Sequence, residues 1–229
     1  MGDGSNSINY HRVGVIRENP MRCIYTADDQ GEIFIVSSSE FENRTDLKDG
    51  DCCVVDFKTN FSEELGNGVY NAEIYKYDSV AVWPLHETLT DTTTVLDKER
   101  LVTLDFKKSI YLEGRFFLQT QHVNHQVDQK DIFNLSYNPD QEVEKDDDGQ
   151  RIYNLYLRVT QEGGTGDSTK WVNTTAFTID KFLDQAKAIE SSEGQNVINF
   201  KINYAERYNA DTTACVWGAT DVFTLRFTN

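Results

Sequence analysis

Positive charge is scarce in this sequence: 22 lysines and arginines face 38 aspartates and glutamates, a net charge of -16. Such a chain repels a phosphate backbone, so we expect no nucleic-acid partner. Apolar runs are short, and none approaches the roughly 20 residues a membrane helix requires. The opening residues show no signal-peptide pattern. Proline occurs only 3 times, cysteine and histidine 4 times each. Among Cys23, Cys52, Cys53 and Cys215 no pair has Cys-x-x-Cys spacing, which excludes a thioredoxin-like motif and a zinc knuckle. There is no Gly-x-Ser-x-Gly elbow and no His-Glu-x-x-His. We therefore expect no catalytic residue, no metal ligand and no cofactor.

What remains is a globular profile, with 12% aromatic and 26% charged residues. The dominant signal is period-two alternation between turn residues. "RVGVIRE", "EIFIVSS", "CCVVDFK" and "GVYNAEIYKYD" supply strands in the first third, about five in all, the number expected of a small barrel. Gly-, Ser- and Asn-rich residues 1–9 read as a flexible tether and residues 10–84 as the barrel. The threonine-rich stretch over 85–97 reads as a linker. Residues 98–229 carry seven or so further strands, expected to form an antiparallel sandwich. One helix is expected in "TIDKFLDQAKAIESSEG", where Phe182, Leu183, Ala186 and Ile189 recur at helical spacing and Gly194 is a stop. The fold expected is all-β: a five-stranded OB-like barrel, then a β-sandwich.

Each candidate for chemistry has a plainer reading. Of His11, His86, His122 and His125, the last two are three apart on a strand, which should point them to opposite faces and away from a shared metal. An enzyme would instead place His122 or His125 beside a carboxylate in a cleft. Asp146–Asp148 could give alternate oxygen ligands to calcium, but Asp-Gly between strands is also a hairpin signal and no distal glutamate follows. Trp83, Trp171 and Trp217 raise sugar stacking; Trp217 should be core and Trp171 could be exposed, and Tyr75, Tyr77, Tyr204 and Tyr208 take the same discount. Adjacent strand residues face opposite ways, so Cys53 should join Val55 and Phe57 in the core, leaving Cys52 as the more exposed thiol. In an oxidising compartment Cys23 could pair with Cys52 or Cys53.

The ordered set "GDGS", "LKDGDCCVVDF", "YLEGRFFLQTQ", "IFNLSYNPD", "YNLYLRVTQEGGTGD", "FTIDKFL" and "FKINYAE" resembles the NigD-like proteins of Bacteroidetes. The chain departs from that pattern at Val159 and Asp131, where histidine is expected. The resemblance implies a lipoprotein signal with a lipidated cysteine just upstream of the acidic start. It also implies anchoring to the outer membrane of a cell envelope by that lipid alone, and a suspected role in bacteriocin immunity. It supplies no catalytic residue. The function expected is a non-catalytic binding module for a protein or an extracellular ligand; the alternative is a glycan-binding surface protein.

Overall fold

The computed structural model describes residues 6–228 apart from positions 20, 29 and 30. The chain divides into two compact units. The first holds the chain up to Val82 together with Lys108–Phe117 and Thr174–Ala176. Its strands are β1 (Asn6–Arg17), β2 (Cys23–Ala27), β3 (Ile33–Ser37), β4 (Cys52–Gly66) and β5 (Val69–Val80), with a one-turn helix α1 (Ser39–Glu42) between β3 and β4. They close a barrel in the order β1-β2-β3-β5-β4, parallel only between β3 and β5. Ser38 starts α1 by accepting a hydrogen bond from the Phe41 backbone N–H, which satisfies one of the helix's orphan donors. The strand β1 begins at Asn6 and pairs with β4 from there, so residues 6–9 are barrel, not tether. Residues 1–5 of the expected tether lie outside the described residues.

Alternation along β4 divides its side chains between two packed layers. Cys53, Val55 and Phe57 point inward with Ile16, Ile24, Val36 and Phe41, and each of these is buried. A buried phenylalanine or aliphatic side chain of this kind stabilises by about 1.5–3 kcal/mol. The opposite face of the strand was expected to leave Cys52 exposed. It does not: Cys52 is 2% accessible and packs with Val15, Leu112, Phe117 and Ala176. The covering residues come from far along the chain, which alternation within β4 cannot reveal. All four cysteines are buried free thiols, with no bond from Cys23 to Cys52 or Cys53.

The turn before β4 forms as its residues suggest. Gly50 takes φ +83°, Asp51 Oδ2 accepts from the Lys48 N–H at 2.8 Å, and the Gly50 N–H reaches Ile16 O at 2.8 Å. Only glycine adopts that φ without strain.

The remaining strands are β6 (Val82–His86), β7 (Glu99–Arg100), β8 (Thr103–Leu104), β9 (Ile110–Leu112), β10 (Arg115–Val127), β11 (Lys130–Ser136), β12 (Glu144–Lys145), β13 (Arg151–Glu162), β14 (Thr165–Thr178), β15 (Val197–Tyr208), β16 (Cys215–Ala219) and β17 (Phe223–Arg226). Helix α2 spans Asp180–Ser192. The large sheet runs β16-β15-β13-β11-β6-β14-β10-β8. It is not purely antiparallel: β13 pairs with β15, and β6 with β11, in parallel. Parallel neighbours need a long crossover, and between β13 and β15 that crossover contains β14 and α2.

Helix α2 buries Phe182, Ala186 and Glu190, while Ile189 is exposed. The i, i+4, i+8 stripe thus includes a glutamate in place of the expected isoleucine. Glu190 tolerates burial because the Tyr153 hydroxyl donates to its Oε1 at 2.7 Å and the Arg151 guanidinium lies 3.8 Å away. The stretch expected as a linker over 85–97 begins within β6 and then continues without helix or strand. It is nevertheless fixed by side chains of its own unit, as described below.

Candidate functional site

The barrel has an open mouth because β2 is short. It ends at Ala27 and pairs only with residues 14–17 of β1, so residues 6–9, 12 and 13 of β1 pair with β4 alone among the described residues. In the gap lies a cavity of about 490 Å³, bordered by Ser7, Asn9, Asp28, Glu32, Phe34 and Tyr70. Barrel mouths are common ligand sites, and the volume is within the usual range for them. A file of rings runs out of the core. The Phe57 and Phe34 centroids are 5.9 Å apart, Phe34 and Phe61 5.7 Å, and Phe61 and Tyr70 5.2 Å. Phe57 is fully buried, whereas Phe61 is 43% exposed and Ile33 beside it 54%. Asp28 and Glu32 give the lining two carboxylates, and no lysine or arginine is among the described lining residues. Asp28 Oδ1 accepts from the Glu32 N–H at 2.9 Å and so orders this corner.

Two other aromatics stand out on the barrel's surface. Tyr10 falls in a register break of β1 between Asn9 and Arg12, and Tyr75 in a break of β5 opposite Asp56 and Phe57. Both side chains are exposed. Bulges of this kind re-aim a side chain at the cost of a ladder bond. His11, in the same β1 break at φ +53°, donates its backbone N–H to Asp56 Oδ1 at 2.6 Å.

In the second unit the titratable groups converge, but inward. His122 Nε2 lies 3.6 Å and His125 Nε2 3.5 Å from the same oxygen, Asp131 Oδ2. Alternation was expected to point the two histidines to opposite faces; instead both approach this one oxygen, with ring centroids 6.1 Å apart. Gln129 Nε2 donates to Asp131 Oδ1 at 2.6 Å, and Thr120 Oγ1 lies 3.1 Å from His122 Nε2. The contacts to Oδ2 are longer than ordinary hydrogen bonds. His122 and Asp131 are buried, and His122 Nδ1 has no hydrogen-bond partner. Burial holds the His122 pKa below its ordinary value; Asp131 opposes that shift, and His125 and Arg100 add to it. Among the described residues no group of three His, Cys, Asp or Glu side chains is disposed to hold a metal ion. Trp171, 49% exposed, lays its ring against His125 at 5.1 Å, so one face of it is covered. His86 is exposed at the end of β6.

The other sequence candidates are structural. Asp146 Oδ1 accepts from the Asp148 N–H at 3.0 Å and the Gln150 N–H at 2.7 Å, and Gly149 takes φ +80°. The acidic run is therefore a hairpin turn whose first carboxylate is occupied by its own backbone. Trp217 is half-buried; its Nε1 donates to Thr92 O at 3.0 Å and its ring lies under the Arg158 guanidinium at 5.7 Å. Trp83 is half-buried against Phe133. Tyr204 and Tyr208 are half-buried as well.

Sequence reasoning passed over a buried side chain of the second unit that makes several hydrogen bonds. Arg158 is fully buried and donates to both oxygens of Glu99, each at 2.7 Å, to Asp91 O, and to Thr94 O at 2.6 Å. These bonds pin the 91–94 segment of the expected linker. The signal available was an arginine at an inward position of a strand, in "LRV".

Residues 4–76 match the family described as lipoprotein OB domain. No curated protein matches the chain. Among solved structures, an uncharacterized protein from Parabacteroides merdae is 22% identical over 96% of this chain and 98% of its own, with a TM-score of 0.77. A NigD-like immunity protein from Bacteroides caccae is 15% identical over 96% of this chain and 97% of its own, with a TM-score of 0.57. A DUF1344 protein from Bacteroides vulgatus is 15% identical over 97% of this chain and 92% of its own, at 0.56. Residues 4–76 are thus similar to a lipoprotein OB domain, and the chain as a whole shares its fold with a NigD-like immunity protein.

Proposed function

We propose that this protein is a non-catalytic binding module of the cell envelope, held at the outer membrane by a lipid and recognising a protein through the mouth of its barrel. Bacteriocin immunity is the role that the likeness to a NigD-like immunity protein brings to mind. The observation that carries the reading is the file of rings from Phe57 to Phe61, which ends in exposed apolar surface at Phe61 and Ile33. Exposed apolar surface beside a cavity marks recognition more often than chance. The group most like an acid–base centre, His122 with Asp131, is by contrast buried. Cross-linked recovery of partners from native envelopes tests the reading. A polypeptide recovered with the wild type and lost with Phe61→Ser supports it; equal recovery with both counts against it.

A second reading, glycan binding, is favoured by one observation: the exposed pair Tyr10 and Tyr75 at the register breaks of β1 and β5. A glycan array that gives a hit abolished by Tyr75→Ala would favour it over the first.

A further inference from the structure

We infer that the barrel mouth takes a cationic amphipathic peptide segment, with an apolar side chain of that segment seated against Phe34 and Phe61 and its basic groups facing Asp28 and Glu32. The inference rests on the binding-module reading and names the chemistry of the partner. Three observations carry it. The cavity has an aromatic wall, formed by Phe34, Phe61 and Tyr70, which suits an aliphatic or aromatic anchor. Among its described lining residues the charged side chains are Asp28 and Glu32, and the chain carries a net charge of -16, so the long-range field draws a basic segment in. Among the described residues, the early end of β2 leaves residues 6–9 of β1 paired with β4 alone. An extended segment can lie along such an edge, its main chain giving affinity and its alternate side chains specificity. A bare acidic surface would attract any basic peptide; the mouth adds a demand for apolar side chains.

The test uses the full chain and three short labelled peptides: alternating lysine and leucine, alternating lysine and serine, and alternating glutamate and leucine. Fluorescence anisotropy at physiological salt should show binding of the lysine–leucine peptide at least tenfold tighter than either of the others. The double substitution Asp28→Asn with Glu32→Gln should weaken it at least tenfold, and so should Phe61→Ser. Ile33→Ser, at a more exposed position, repeats the test should Phe61→Ser fail to fold. Asp147→Asn with Asp148→Asn removes the same charge from the hairpin turn of the second unit and should leave binding unchanged. Equal weakening by that distal pair, no preference for leucine over serine, or no binding at all would overturn the inference. Envelope partners recovered equally by the wild type and by the Asp28–Glu32 double variant, but lost with Phe61→Ser, would sink this inference while leaving the binding-module reading intact.

Discussion

Arg158 and Glu99 form a two-pronged ion pair whose side chains are both closed to solvent, and the same guanidinium holds the backbone at Asp91 and Thr94. Removing one member of such a pair strands the other charge, which typically costs about 3–5 kcal/mol. Arg158→Met should therefore lower unfolding stability by about that much, read from urea or guanidinium transitions. Arg158→Met combined with Glu99→Leu should recover part of the loss, because no lone charge is then buried. Loss of stability by the double variant equal to the sum of the singles would show that the pair does not act as a unit.

The buried thiols make a second prediction. Burial pushes Cys23, Cys52 and Cys215 up to about 11, and raises Cys53 as well. Thiolate is the reactive form. An aromatic disulfide reagent at neutral pH should thus find almost no reactive thiol in the native protein and all four after denaturation. Rapid labelling of Cys52 in the native state would show that the cover formed by Leu112, Phe117 and Ala176 opens.

Gly14 of β1 pairs with Thr26 of β2 in the barrel wall. A Cβ there would stand 2.4 Å from Ile24 Cγ2 and 3.2 Å from Cys53 Sγ. Overpacking of this kind costs about 1–3 kcal/mol. Gly14→Ala should lower the melting temperature with no change in the far-ultraviolet spectrum of the folded state, and Gly14→Val should lower it further.

His122 sets a pH dependence. Its folded pKa lies below the unfolded value of about 6.5, so the unfolded chain binds the proton first. The contribution is complete above about pH 6.5 and is lost as the pH falls from there towards the folded pKa. The groups that face it are Asp131, His125 and Arg100. The wild type should lose stability on acidification through that window more steeply than His122→Gln. Parallel curves for the two would contradict the assignment.

Much of the barrel was legible in the chain. The alternation Cys53-Val55-Phe57 put the right side chains inside, and Lys48-Asp49-Gly50-Asp51 made the turn that was expected. What local patterns missed is what distant segments do. Cys52 reads as exposed until residues from Leu112 to Ala176 cover it. Glu190 reads as the solvent side of α2 until Tyr153 and Arg151 satisfy it. The parallel pairs β6–β11 and β13–β15 could not be read because each β-strand looks alike from its own sequence. The two histidines, expected on opposite strand faces, instead meet one carboxylate oxygen of Asp131 with their rings 6.1 Å apart, which simple alternation along β10 does not foretell. At the barrel mouth Phe34 and Tyr70 were visible only as strand residues, and Phe61 lies beyond the strand read in "CCVVDFK", on the part of β4 that continues to Gly66.

The central claim, that recognition happens at the barrel mouth and not at the buried histidines, has a direct test. A photo-reactive phenylalanine analogue placed at position 61, and separately at position 171, is illuminated in native envelopes. The account predicts a discrete cross-linked polypeptide from position 61, diminished by Asp28→Asn with Glu32→Gln, and none from position 171. A discrete product from position 171 with nothing from position 61 would contradict it.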